Sequence, residues 1–220
     1  MPESTCKGIL FDLDGVLVDT ARYHYLAWKK LALQWDLELT PEANEELKGV
    51  SRVNSLHWIL KKANVSLTDE GFKRAMEQKN QDYLSYIAKM DSGDLLRGAL
   101  DFLKDCQRQG YRMALASASK NAPLIIEKLG IHHFFDAIAD GNSTTKSKPD
   151  PDVFLIAASS IGIDPTQCVA IEDSQKGIQA ANNAGCYTVG IGEKEVLTEA
   201  NTVYKGLYEF RINDLEIEHT

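Results

Sequence analysis

The sequence predicts an α/β protein: a doubly wound parallel sheet carrying an all-helical insertion after its first strand. Three observations lead there. From residue 91 onward, short apolar runs alternate with longer stretches of helical period, the rhythm of strand, crossover helix and parallel strand. A glycine closes each of those helical stretches, at 110, 130, 162 and 185, where a left-handed residue ends a helix at little cost. Residues 20–90, by contrast, hold four helical patterns and no convincing strand.

Taken in order, the first strand is expected over 8–13 in "GILFDL", and the insertion's helices over 21–35, 41–48, 52–63 and 69–89. The sheet resumes with a helix over 99–109, a strand over 112–117 and a helix over 122–129, then a short strand over 137–139. A helix over 152–161, a strand over 168–172, a helix over 177–184 and a strand over 187–191 complete it. Beyond Glu193 the pattern is too weak to assign. Residues 1–18 and 91–220 therefore form the sheet domain, and 19–90 the helical one.

Composition narrows the function. Apolar residues are 44% and charged residues 25% of 220, ordinary for a globular protein, and no apolar run approaches the ~20 residues of a membrane span. The amino terminus has no basic region followed by an apolar stretch, so no secretory signal is expected. Cys6, Cys106, Cys168 and Cys186 are too scattered for a zinc or redox motif and fit reduced thiols of a cytoplasmic protein. A net charge of −8 argues against nucleic acid and anionic membranes, yet permits a small anion held by a few focused cations. Nothing demands a partner chain, so a monomer is expected.

In open parallel sheets, ligands bind beyond the carboxyl ends of the strands. Asp12 and Asp14 end the first strand, Ser117 the second, and Glu172 with Asp173 the strand "CVAIE". Alternation puts Asp12 and Asp14 on one side roughly 7 Å apart. Two carboxylates at ~4 Å and an effective dielectric of ~20 repel by ~4 kcal/mol, so the acids call for a cation. Hard oxygen donors without His or Cys suit Mg²⁺. Ser117 opens "SASKN" before a helix, where its hydroxyl and the following amides can cap that helix or cradle a phosphate. Lys148, in the proline-stiffened loop "KSKPDP", can supply the counter-charge.

The spaced set "DLDGV", Ser117, Lys148 and "IEDS" resembles the haloacid dehalogenase superfamily of aspartate-based phosphotransferases, with its Rossmann-like core and inserted helical cap. Within it the sequence is similar to the β-phosphoglucomutase family over essentially the whole chain, most closely in "FDLDGVLVDTARYHYLAW", "LKGVSR", "LASASKN", "SKPDPDVF" and "IEDSQKGIQA". The resemblance implies an aspartyl phosphate on Asp12, and Mg²⁺ held by Asp12, the Asp14 carbonyl, Glu172 and Asp173. It implies Asp14 as general acid and base, and Ser117, the Ala118 amide and Lys148 around the transferring phosphate. The substrates would be small hexose phosphates: β-glucose 1-phosphate and glucose 6-phosphate, interconverted through β-glucose 1,6-bisphosphate, which also primes the enzyme.

The insertion decides between a mutase, which must grip a sugar phosphate at both ends, and a phosphatase of the same fold, which needs only water. Lys79 shares the apolar face of Phe72, Met76, Tyr83 and Ile87, where a lysine either snorkels to solvent or meets a ligand. Arg52 begins a helix capped by Ser51, where a guanidinium gains nothing from the dipole. His24 lies beside the stripe Ala21, Tyr25, Trp28, Ala32 and Trp35, a common place for a structural histidine. The resemblance assigns Lys79 to the sugar, and Arg52, Ser119, Lys120 and Asn121 to the non-transferring phosphate. It assigns His24 to aligning Asp14, Thr20 to the hinge, and Lys48, Gly49, Val50 and Ser55 to the sugar-recognising loop. A receiver domain, also doubly wound and phosphorylated on Asp, would lack the roughly 70-residue insertion.

Overall fold

The computed structural model describes residues 6–47 and 52–214. Two compact units emerge, one of residues up to Asp19 with those from Asp91 onward, the other Thr20–Met90, so the division falls one residue later than the sequence suggests.

Strand β1 (Gly8–Phe11) opens the chain, followed by the helices α1 (Ala21–Ala32), α2 (Pro41–Glu45), α3 (Arg52–Ala63) and α4 (Asp69–Ile87). Then come α5 (Ala99–Arg108), β2 (Arg112–Ala116), α6 (Ala122–Lys128), β3 (Ala137–Ala139) and α7 (Asp152–Ser160). Next are β4 (Cys168–Glu172), α8 (Gln175–Ala184), β5 (Tyr187–Ile191) and β6 (Thr202–Tyr204). The sheet has six strands in the order β3-β2-β1-β4-β5-β6, every pair parallel.

All four residues of β1 are buried, as a central strand covered on both faces requires. On one face Leu10, Ala114, Ala116 and Ala170 pack with Val153, Phe154, Ala157 and Ala158 of α7 and Ala180 and Ala181 of α8. Phe11 meets Phe102 and Phe135 edge to face at 6.0 and 5.9 Å. Each such buried large side chain contributes ~1.5–3 kcal/mol. The four cysteines are buried with free thiols, and burial pushes Cys6 up to about 11 and Cys168 and Cys186 to about 12, which leaves them poor nucleophiles.

Several sequence-based boundaries shift. Strand β1 stops at Phe11 rather than 13, because the backbone turns: the Gly15 amide donates to the Val18 carbonyl at 2.8 Å with Gly15 at φ 79°. Asp12 and Asp14 are thus not alternate residues of one strand. Strand β2 ends one residue before Ser117, and α8 begins at Gln175 because Ser174, not a later residue, caps it by accepting from the Gly177 amide. Strand β6 was not foreseen: it is three half-buried residues at the sheet edge, too short to show a period.

In the helical unit, α1 gives way to one 3₁₀ turn, Leu33–Trp35, and Asp36 ends it in the left-handed region at φ 53°. The buried face of α1 is Ala27, Trp28, Leu31 and Ala32, the last three packed with Leu56, Ile59 and Leu60 of α3. Of the stripe drawn from sequence, Tyr25, Trp28, Ala32 and Trp35 lie in or against this core, while Ala21 is exposed. Helix α4, capped by Thr68 onto the Gly71 amide, buries Ala75, Lys79, Asp82, Tyr83 and Ile87, while Phe72 and Met76 are half-buried.

Candidate active site

Parallel register sets the site. Phe11 lies opposite Leu115 on one side and Ile171 on the other, so Asp12, Ala116 and Glu172 come level at the carboxyl end, with Ser117 one residue further. The Asp12 amide extends the ladder by donating to the Ile171 carbonyl at 2.9 Å, which fixes its position before the chain turns away. Ser117 does the same to Ala139, also at 2.9 Å.

Among the described residues, one carboxylate oxygen each from Asp12, Glu172 and Asp173 lies within 4.8 Å of the others. Lys148 is the cation in their midst. Its ammonium donates to Asp12 Oδ1 at 2.6 Å, to Glu172 Oε1, and to the Ala116 carbonyl at 3.1 Å, using all three protons. Glu172 Oε2 accepts from the Asp173 and Ser174 amides and the Ser174 hydroxyl, each at 3.0 Å.

Burial raises the Asp12 carboxyl well above the usual range; Lys148 opposes this, while Glu172 and Asp173 add to it. Burial works against the charge of Lys148, but Asp12 and Glu172 hold it above its ordinary value. Asp173, whose side chain reaches solvent, has its carboxyl pushed up to about 7 by desolvation, then by Glu172 and Asp14. Three carboxylates and one ammonium leave a surplus of two negative charges. A divalent ion cancels that surplus, and an all-oxygen donor set with Lys148 as the neighbouring cation fits Mg²⁺.

Beside this cluster the Ser117 hydroxyl accepts from the Ser119 amide at 3.1 Å, and the Ser119 hydroxyl from the Asn121 amide at 3.3 Å. A cavity of about 130 Å³ is lined by Ser117, Ala118, Gly141 and Lys148, among others. Three glycines that sequence reasoning missed shape the surroundings. A Cβ on Gly15 would fall 1.8 Å from Asp173 Oδ2, and one on Gly177 would fall 1.9 Å from Glu172 Oε1. One on Gly141 would fall 2.3 Å from the Ala118 carbonyl, and Asp140 fixes that turn by accepting from Asn142 and Ser143. The approach of a neighbouring group in the folded chain reveals such a glycine, and a single sequence does not carry it.

The helical unit holds a second polar group. Lys79 does not snorkel: it is 1% exposed, with Nζ 2.6 Å from His24 Nδ1 and lying over the rings of Trp28 and Tyr83 at 4.8 and 4.9 Å. Burial and then Arg52 lower it to about 7; burial, Lys79 and Arg52 lower His24 to about 3. The imidazole is therefore neutral and able to accept. His24 stacks on Tyr83, whose hydroxyl donates to Thr20 Oγ1 at 3.4 Å. Ser55 is buried on α3 and Arg52 opens the same helix. Lys48, Gly49, Val50 and Ser51 lie outside the described residues. Asp82, also missed from sequence, is buried and paired with Lys30 at 2.6 Å.

The model of the haloacid dehalogenase-like hydrolases matches residues 6–185. The chain belongs to that family. It is 41% identical over 214 residues to the β-phosphoglucomutase of Bacillus subtilis (strain 168), covering 96% of this chain and 92% of that one. A solved β-phosphoglucomutase from Clostridium difficile superposes with a TM-score of 0.85 at 39% identity, covering 95% of both chains. The fructose-1-phosphate phosphatase of Escherichia coli (strain K12) is 30% identical over 185 residues, 84% of this chain and 95% of that one. The fold of the family, a parallel sheet with flanking helices, is the one described above. No described helix is long and apolar enough to cross a membrane.

Proposed function

We propose that this protein is a β-phosphoglucomutase, interconverting β-D-glucose 1-phosphate and D-glucose 6-phosphate. The observation that carries phosphoryl transfer is the convergence of Asp12, Lys148, Glu172 and Asp173 at the strand ends; the likeness to the Bacillus enzyme along 96% of the chain favours a mutase. Asp12 is the nucleophile, its attacking oxygen kept in place by Lys148 and by the ladder bond of its own amide. Mg²⁺ would be held by the Asp12, Glu172 and Asp173 carboxylates with the Asp14 carbonyl, and would supply charge neutralisation for the phosphoryl oxygens.

In the cycle, phospho-Asp12 gives its phosphoryl group to the 6-hydroxyl of β-glucose 1-phosphate, whose proton Asp14 takes. The resulting 1,6-bisphosphate turns over and returns its other phosphoryl group to Asp12, and Asp14 gives the proton back to the departing sugar oxygen as glucose 6-phosphate leaves. Ser117, the Ala118 amide and Lys148 bind the transferring group. Arg52, Ser119, Lys120 and Asn121 bind the other phosphate, and Lys79 with Ser55 and residues 48–51 recognises the sugar. His24 aligns Asp14, and Thr20 is at the hinge. β-Glucose 1,6-bisphosphate primes Asp12, and the protein acts as a cytoplasmic monomer on free hexose phosphates. Incubation with Mg²⁺, β-glucose 1-phosphate and a trace of the bisphosphate should yield glucose 6-phosphate with little inorganic phosphate. Phosphate release matching substrate loss overturns the mutase reading in favour of a sugar-phosphate phosphatase.

A further inference from the structure

Strand β3 lies beside β2 with Ala139 opposite Ala116, so the segments that leave them, residues 117–121 and 140–143, run side by side beyond the sheet. The Gly141 amide donates to the Ser119 carbonyl at 3.3 Å, an approach that a Cβ would obstruct, since it would fall 2.3 Å from the Ala118 carbonyl oxygen and 3.0 Å from the Lys120 nitrogen. Asn142 makes a second bridge. Its Nδ2 donates to the Lys120 carbonyl at 3.3 Å and to Asp140 Oδ2 at 2.9 Å. Asp140 anchors that amide: it is 7% exposed, and its Oδ1 accepts from the Asn142 and Ser143 amides and the Ser143 hydroxyl at 2.9, 3.2 and 3.0 Å. Across the gap, Asn121 stands at the start of α6 without capping it through its side chain. The Lys120 carbonyl and the Asn121 amide belong to one rigid peptide plane, so a bond to the carbonyl fixes the direction of both.

We infer that Asn142 is a positioning residue for the grip on the non-transferring phosphate: through the Lys120 carbonyl it holds the peptide that carries the Lys120 and Asn121 side chains. The inference rests on the assignment of Ser119, Lys120 and Asn121 to that phosphate. Asn142 is exposed and stands outside the acidic cluster, so its replacement leaves the core and the metal donors in place. When phospho-Asp12 gives its group to β-glucose 1-phosphate, the phosphate already on the sugar is the non-transferring one. A looser loop therefore weakens the hold on that substrate without touching the reacting atoms.

The test compares wild type with Asn142→Ala, which removes the donor, and Asn142→Asp, which keeps the shape but sets a carboxylate against the Lys120 carbonyl and Asp140. The KM for β-glucose 1-phosphate is expected to rise about three- to tenfold in Asn142→Ala, the range of one lost hydrogen bond, and by more than about tenfold in Asn142→Asp. In Asn142→Ala, kcat changes by less than about twofold and the Mg²⁺ concentration for half-maximal activity stays at its wild-type value. A second readout needs no turnover. Hydrogen exchange followed by NMR should quicken in Asn142→Ala at the amides of Asn121 and Ala122, which donate to the Ser119 hydroxyl and carbonyl, and stay unchanged along β2. The inference is overturned if KM is unmoved in both variants, if exchange in the loop matches wild type, or if KM, kcat and the Mg²⁺ requirement shift together as a general loosening of the fold would make them. Should turnover yield only inorganic phosphate, the mutase reading fails, while the exchange still decides whether Asn142 holds the loop.

Discussion

Replacing Gly177 by alanine tests how closely helix α8 is fitted to the acidic cluster. The new methyl carbon would lie 1.9 Å from Glu172 Cδ and Oε1 and 2.2 Å from Oε2, where ordinary contact begins near 3.4 Å. Glu172 must therefore retreat by about 1.5 Å. A solvent-exposed glutamate would do so freely, but this one is 1% exposed and bound by Lys148, two amides and the Ser174 hydroxyl. Losing two of these charge-assisted bonds costs about 3–6 kcal/mol. Alanine in a helix returns at most ~1 kcal/mol, so the net expectation is a loss of about 2–5 kcal/mol. The same retreat withdraws a carboxylate from the metal donors, which should raise the Mg²⁺ concentration for half-maximal activity by roughly 10–100-fold. Urea denaturation and a Mg²⁺ titration of turnover measure the two effects. A variant stabilised by about 1 kcal/mol with unchanged Mg²⁺ dependence would refute the fitted-cluster argument.

Lys148→Met strands Asp12 and Glu172 without their cation and should destabilise the chain by ~3–5 kcal/mol, with added Mg²⁺ recovering part of it in thermal melts. Asp14→Asn should leave melting unchanged and slow both half-reactions by roughly 10²–10⁴-fold, measured as bisphosphate formation and decay in single turnovers. Lys79, lowered from 10.5 to about 7 on folding, penalises the folded state fully below pH 7 and progressively less as pH rises towards 10.5, since the unfolded chain holds the proton over that window. Wild type should therefore gain on the order of 5 kcal/mol from this group between those limits, and Lys79→Met should lack that part of the pH dependence while losing activity; identical pH profiles in urea melts would contradict it.

The acidic end of the sheet is legible because parallel sheets put functional side chains at strand ends, and Asp12, Ser117 and Glu172 each follow a readable apolar run. Lys148 was found by its chemistry rather than its position. What escaped were features set by packing: Gly15 against the distant Asp173, Gly177 against Glu172 across the strand-to-helix turn, and the Lys30–Asp82 pair, which spans two helices. The spacing of Lys79 leaves snorkelling and contact with a ligand equally open, because periodicity gives the face of a helix but not the depth at which a side chain ends. Edge strand β6 has three residues, less than the window over which alternation can be recognised.

The central place of β1 also has a bearing on biosynthesis. This strand leaves the ribosome first, yet its two neighbours begin only at Arg112 and Cys168. Translation at ordinary rates puts on the order of five to ten seconds between β1 and β2, an interval in which "GILF" has no ladder to join, whereas Thr20–Met90 can condense by itself through local helical contacts. A nascent chain arrested before Arg112 should thus protect the amides of α3 and α4 from exchange while those of Gly8–Phe11 remain open, and Asp12 meets Lys148, Glu172 and Asp173 only after the chain has been made through β4.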